Sequence, residues 1–246
     1  MNIILLEEQE IKNNRVSLTD RRQDHILKIL RAKKDDLLKI GLINGPLGIG
    51  RITAIDKKEV VLDLELAAIP PEPPPLDLIL ALPRPIMLKR VLTQAASMGV
   101  SRIFLINANR VEKSYFTSSL LTEQNIRQRL LLGLEQAAMD TRVPEISIHK
   151  RFRPFIEDYL PANTSPDDPK LIAHPGTEKQ LHQQMTNRTE ARVILAIGPE
   201  GGWVDFEIDN FRQQGFKTFT LGPRILRVDT AVPALLSQIT LLRNMA

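Results

Sequence analysis

Two short stretches in the last third of the chain carry residue types that can do chemistry. Ile197-Gly198-Pro199-Glu200-Gly201-Gly202 sets one carboxylate among three glycines, which let a backbone approach a ligand closely and adopt positive φ. Beginning at Leu221, the stretch LGPRILRVDTA (221–231) supplies two guanidinium groups, Arg224 and Arg227, and a second carboxylate, Asp229. Arginine matches planar anions and phosphates. A carboxylate whose pKa is raised by burial can take a proton, and an arginine can stabilise negative charge developing on an oxygen. Glu200 and Asp229 are therefore candidate bases, and Arg224 and Arg227 candidate charge stabilisers. Each has a structural alternative. Glu200 can hold loop amides, Asp229 or Thr230 can cap the helix that follows with Pro233 in its first turn, and the arginines can be solvated. The glycines are not followed by GK[ST] and are not spaced G-x-G-x-x-G, which counts against a nucleoside triphosphate and a standard dinucleotide site.

These stretches sit where an α/β architecture would put a ligand. The segment after residue 75 alternates apolar strands, expected at 76–82, 100–106, 146–149, 170–173, 192–197 and 217–221, with helices expected at 86–98, 119–140, 152–159, 178–187, 205–214 and 230–243. That alternation implies a parallel sheet covered on both faces. In such sheets ligands bind at the C-terminal ends of strands. Three strand ends carry Gly and Pro directly after the apolar run: AHPG (173–176), IGPEGGW (197–203) and LGPRILR (221–227). Asp205 is placed to cap the helix after the second, and Trp203 to pack at that loop's base.

IPPEPPP (69–75), with five prolines in seven residues, cannot continue a helix or a central strand and divides the chain. The part before it reads as a small β-barrel with one helix. Leu37–Ile43, Arg51–Asp56 and Val61–Leu66 have strand patterns, and NGPLGIG (44–50) is a turn signal. TDRRQDHILKILR (19–31) reads as a helix capped by Thr19 or Asp20. Arg21, Arg22, His25 and Arg31 lie on or near this helix and are candidate contacts to RNA phosphate, the alternative being a solvated basic face.

Composition narrows the function further. The 246 residues contain no cysteine, which removes disulfides, thiol nucleophiles and thiolate metal sites. The four histidines are not spaced as in zincins, so no metal is expected. A formal net charge of +4 permits an anionic partner. Aromatic residues are only 4% of the chain, an argument against a surface built on stacked bases. No apolar run reaches the length of a membrane span, and MNIILLEEQE lacks a signal peptide's basic start and long apolar run, so a cytoplasmic protein is expected.

LILALPRP (78–85), IGPEGGW and LGPRILRVDTA together resemble the SPOUT-type RNA methyltransferases, and most nearly the family that methylates N3 of a uridine in bacterial small-subunit ribosomal RNA. HILKILRAKKDD (25–36) and GLEQAAMDTRVPEI (133–146) are similar to further segments of that family. The chain departs from it at Gln94 and Ser97, where lysine and glutamate are usual, and at Asp229, where glutamate is usual. The resemblance implies a PUA-like β-barrel over 1–69, a proline-rich linker over 70–75, and a trefoil-knotted α/β methyltransferase domain over 76–246. It also implies a homodimer formed through the C-terminal domain. S-adenosylmethionine is the cofactor implied, held by Ala173, His174 and Pro175, by Ile197, Gly198, Pro199, Glu200, Gly201 and Gly202, and by Leu221, Gly222, Ile225, Leu226 and Arg227. Three other readings stay open: a non-catalytic RNA-binding or ribosome-assembly factor on the same scaffold, a SPOUT-type methyltransferase with a different RNA target, and an α/β enzyme for another nucleotide.

Overall fold

The computed structural model of the chain describes residues 1–72, 75–185 and 191–245. Contacts group it into two units, Met1–Glu72 with Leu130–Val143, and Pro73–Arg129 with Pro144–Ala246. Residues 73–74 of the proline tract and 186–187 of the expected helix 178–187 lie outside the described residues.

In the first unit β1 (Ile4–Leu6), β2 (Arg15–Leu18), β3 (Leu37–Leu42), β4 (Leu47–Ile55) and β5 (Val60–Ala68) form one sheet in the order β1-β3-β4-β5-β2. Alternating residues turn Val16, Leu18, Ile40, Ile52, Val60 and Leu62 inward to one core, as the period-two pattern requires. Helix α1 (Arg21–His25) is capped by Asp20, whose side chain accepts the Arg22 N–H at 2.9 Å. It passes into a π turn, Ile26–Leu30, and stops at Arg31 with φ +51°. The turn signal at 44–50 resolves into a shorter turn. Asn44 takes φ +58° and β4 already begins at Leu47. Gly48 lies inside the strand because a Cβ there would stand 1.9 Å from the Glu65 carbonyl oxygen.

The second unit is built on six parallel strands in the order β11-β9-β10-β6-β7-β8. They are β6 (Leu76–Ala81), β7 (Arg102–Ile106), β8 (Glu145–His149), β9 (Lys170–Ala173), β10 (Val193–Ile197) and β11 (Lys217–Phe219). The helices are α2 (Pro85–Ser97), α3 (Glu123–Ala137), α4 (Asp205–Gln213) and α5 (Val228–Asn244), with short α and π turns over 152–163. The central strands β6 and β10 are buried along their whole length, as a sheet covered on both faces demands. Leu88, Val91, Leu92 and Ala95 make the buried stripe of α2 at helical spacing.

Three local expectations are corrected. Asp205 is the first residue of α4 and not its cap; the carboxylate that closes this end is Glu207, whose Oε2 accepts the Val204 N–H at 3.0 Å. Helix α5 starts at Val228, so Asp229 and Thr230 lie within its first turn and Pro233 lies inside the helix. Pro233 cannot donate to the Asp229 carbonyl. The helix expected over 178–187 is a single turn, Leu181–Gln184, among the described residues.

One charge sits inside the central strand. Asp77 has no exposed surface, and its two oxygens are taken by Arg102 at 2.5 Å and Arg192 at 2.6 Å. Removing one partner of a buried pair leaves the others uncompensated, at a cost of about 3–5 kcal/mol. Asp77→Ala is therefore expected to lower the free energy of unfolding by about 3 kcal/mol or more, because both arginines lose their carboxylate partner. Urea denaturation of the two proteins checks this; a loss under about 1 kcal/mol would mean the arginines are satisfied by water.

Candidate active site

Because all six strands run the same way, their C-terminal ends share one edge of the sheet. The loops after β9, β10 and β11 meet there around a cavity of about 350 Å³. Ala173, His174 and Pro175, Ile197 to Gly202, and Leu221, Gly222, Ile225, Leu226 and Arg227 all line it, so every residue expected to hold the cofactor faces one space. Trp203, Phe219, Val228, Ala231 and Leu235 add an apolar wall, of which the sequence pattern had marked only Trp203, as packing.

Backbone geometry explains the glycines. The Gly202 N–H donates to the Pro199 carbonyl at 2.8 Å and Gly202 takes φ +75°, closing a tight turn through Glu200 and Gly201. At Gly198 a Cβ would lie 3.1 Å from the Trp203 indole, so glycine lets the loop rest on that ring. Gly222, at φ +115°, turns the third loop into the cavity wall. Trp203 is buried with no hydrogen-bond partner for its Nε1 among the described residues, and the same holds for His174 Nδ1. A glycine cradle, an apolar wall and orphaned ring nitrogens suit a small molecule with an aromatic base, held largely by backbone and dispersion contacts.

The charged groups divide into two sets. Glu200 lines the cavity and its Oε1 accepts the Arg84 N–H at 3.1 Å, just ahead of α2, where a negative charge is favoured. Arg224 and Arg227 line the rim, and Arg227 is two-thirds exposed, with Nη2 donating to Met87 Sδ at 3.3 Å. Asp229 does not line the cavity. It is nine-tenths buried, its Oδ2 accepts from Arg90 at 2.9 Å, and its Oδ1 lies 3.6 Å from Arg227 Nε. The candidate base Asp229 thus stands outside the cavity lining, beside Arg90 and Arg227.

Two residues that hold the site went unmarked in the sequence. The Arg110 guanidinium donates to the Gly201 carbonyl, and a side chain at 201 would meet Arg110 Cδ at 2.9 Å. The buried Glu207 carboxylate accepts from Asn109 N–H at 2.6 Å as well as from Val204. NANR (107–110) follows an apolar strand just as the three glycine loops do, which is the signal that could have found it. Among the described residues no cluster of metal-ligating side chains occurs.

This arrangement has counterparts among known proteins. Residues 70–240 match the model of an RNA methyltransferase domain, and residues 18–65 that of an RNA methyltransferase PUA domain. The chain is 33% identical over 242 residues to the ribosomal RNA small subunit methyltransferase E of Treponema pallidum, covering 95% of this chain and 88% of that one. It is 27% identical over 236 residues to methyltransferase E 1 of Borreliella burgdorferi, covering 95% of each. Its fold matches that of the Neisseria gonorrhoeae methyltransferase E, crystallised with S-adenosyl methionine, at a TM-score of 0.76 and 22% identity over 98% of both chains. The chain belongs to this RNA methyltransferase family. The fold inferred from the resemblance, a PUA-like domain ahead of a SPOUT-type methyltransferase domain, is the fold of the chain.

Within the PUA-like unit of this RNA methyltransferase, two of the residues expected to contact RNA have partners within the protein. Arg22 is buried and spent on Asp20, on Glu10 at 2.5 Å and on the Leu5 carbonyl at 2.8 Å, so it ties α1 to the sheet. Arg21 forms a two-pronged pair with the buried Glu135 at 2.5 and 2.8 Å. His25 is half-buried, its Nε2 without a hydrogen-bond partner among the described residues, while Arg31 is exposed.

Acid should loosen the cofactor loops. Burial, reinforced by the charge of Arg212 and opposed by Asp205, holds the His174 imidazole below its ordinary value of 6.5. The unfolded chain takes up a proton near 6.5 that the folded chain refuses, so this stability is complete above 6.5 and drains as pH falls through the folded value. Melting followed by the emission of Trp203, the single tryptophan, is expected to fall from about pH 7 to about pH 5, and less steeply in His174→Gln. Parallel curves for the two proteins would remove His174 from the account.

Proposed function

We propose that this chain transfers the methyl group of S-adenosylmethionine to N3 of a uridine in bacterial small-subunit ribosomal RNA, in the cytoplasm, as a homodimer formed through a knotted C-terminal domain. The observation that carries this reading is the convergence of the three glycine-bearing loops on one cavity, within a chain of the RNA methyltransferase family. The relatives are named for the small-subunit ribosomal RNA, and the Neisseria structure has S-adenosyl methionine bound. Ile86 on α2 and Leu241 on α5 are large apolar side chains more than half exposed, on two helices that pack together, which supports a partner surface there.

The residues present fit this cofactor. The glycine backbone of 198–202 and 222 and the apolar wall of Phe219 and Leu235 would hold the adenosine part, with Trp203 Nε1 and His174 Nδ1 available as polar contacts. When bound, the sulfonium supplies a methyl group that is already electrophilic. What remains for the protein is to align uridine N3 and to take its proton. Glu200 faces the cavity with Oε2 free of the Arg84 contact, and in this reading it receives the N3 proton as the N–C bond forms. Arg227, braced by Asp229 and Met87, meets the negative charge that moves onto the uracil oxygens, and Arg224 holds the adjoining phosphate.

Calorimetry with chelator present is expected to show S-adenosylmethionine binding to the isolated protein; binding that appears only with a divalent ion would overturn the metal-free site. Ribosomal RNA from cells lacking this gene is expected to lose a 3-methyluridine, read by mass spectrometry of nucleosides. An intact 3-methyluridine signal beside loss of another methylated nucleoside would reassign the target. Arg227→Ala is expected to keep the fold and cofactor affinity while turnover falls about tenfold or more. Unchanged turnover would make Arg227 a surface residue.

A further inference from the structure

A second cavity, of about 610 Å³, opens at the same edge of the parallel sheet, beside the end of β8. Its walls are aromatic and apolar: half-buried Phe116 and Tyr159, buried Phe155, and Leu121 and Ile148. His149 stiffens them, with its ring centroid 4.3 Å from Tyr159 and 4.7 Å from Phe155 and its Nε2 bonded to Ser147 Oγ at 2.8 Å. Lys150 and Arg151 stand exposed on the rim. Among the described residues neither they nor Lys113 enter an ion pair.

The space between the two cavities is basic as well. Moving along the sheet from β10, the strand ends carry Arg84 after β6, Arg110 and Lys113 after β7, and Lys150 and Arg151 after β8, all exposed. Glu112 is the acidic exception, and Tyr115 donates to it at 2.9 Å. The low aromatic total hides a local concentration. All eight Phe, both Tyr and the Trp lie between Phe104 and Phe219, with none in 130–143, so the PUA-like unit has no Phe, Tyr or Trp and only the imidazole of His25 as a ring. Tyr159 and Phe104, Phe116 and Phe155 gather at the β7–β8 corner.

We propose that this second cavity is a subsite for one base of the single-stranded RNA substrate, stacked on Phe116 and Tyr159, with the flanking phosphates on Lys113, Lys150 and Arg151. A flat π face flanked by free cations is the chemistry that binds single strands without base pairing. The inference rests on the methyltransferase reading for its substrate. Three strand spacings separate β10, whose loop carries Glu200, from β8, about 14 Å, so the base held here is a nearby base of the same strand and not the target.

The test is anisotropy of a dye-labelled single-stranded RNA oligonucleotide, without cofactor, across a salt series. Phe116→Ala is expected to weaken binding about tenfold, the loss of one stacked base. Phe116→Leu keeps apolar bulk without the π face and should show most of the same loss, which separates stacking from misfolding. Lys150→Ala with Arg151→Ala, both at exposed positions, should flatten the salt slope by about 1.4, two phosphate contacts on a single strand. Cofactor affinity read from Trp203 emission should not move in any of them. Wild-type affinity and slope in all three folded variants would overturn the subsite. So would a change in oligomeric state without a change in RNA affinity, which would give the cavity to a protein contact. Failure of the methyltransferase reading is seen separately, as wild-type protein that binds no S-adenosylmethionine.

Discussion

A parallel sheet aims the C-terminal end of every strand at one edge, and the site of this chain is a consequence of that geometry. Strand β10 pairs in register with β6 on one side and β9 on the other, and β11 extends β9. Chain segments far apart in sequence, after residues 173, 197 and 219, are thereby delivered to within one cavity. Apolar burial on both faces fixes the strands. The ionic triad of Asp77 with Arg102 and Arg192 joins β6, β7 and the start of β10 at the opposite end. Loops on that rigid frame can be built for ligand contact without also carrying the stability of the domain.

The glycine loop after β10 shows how such a frame keeps a permissive backbone in one shape. Three glycines in five residues cost conformational entropy on folding. Neighbouring loops offset this with side chains of the opposite sort. Arg110 clamps the Gly201 carbonyl, Glu200 reaches the N–H at the start of α2, and Glu207 links the loop's far end to Asn109. The loops after β6 and β7 therefore act on the cavity without lining it. Charged residues supply order, and glycine supplies access.

The legible part of this molecule was what repeats locally. Alternation in β4 and β5, continuous apolar runs in β6 and β10, and Gly-Pro at three strand ends each follow from one element's own surroundings. What could not be read depends on partners distant in the chain. Arg21 and Arg22 look like a basic helix face until Glu135 and Glu10 arrive from other elements. Asp229 looks like a cap until α5 begins two residues earlier than expected, at Val228, and Arg90 claims its carboxylate. The return of 130–143 to the first unit has no local signal, since α3 runs through the boundary as one helix. The low aromatic total carries no position, so it could not show that the rings collect in one unit.

Position also separates two kinds of RNA contact that composition would merge. The PUA-like unit has no Phe, Tyr or Trp, and Arg21, Arg22 and Lys28 are already paired, so Arg31, Lys33 and Lys34 are the exposed cations of that segment outside any ion pair among the described residues. Such a surface can neutralise phosphates and read helical shape, and its grip must weaken with salt. The parallel-sheet unit has rings and cations on one edge beside the cofactor cavity, and that combination suits an unpaired strand. N3 of a uridine lies on the edge used for base pairing, so chemistry there requires the base out of a duplex. A surface able to hold the unpaired neighbours of that base lowers the cost of keeping it exposed, and its natural place is the same edge on which the methyl donor sits.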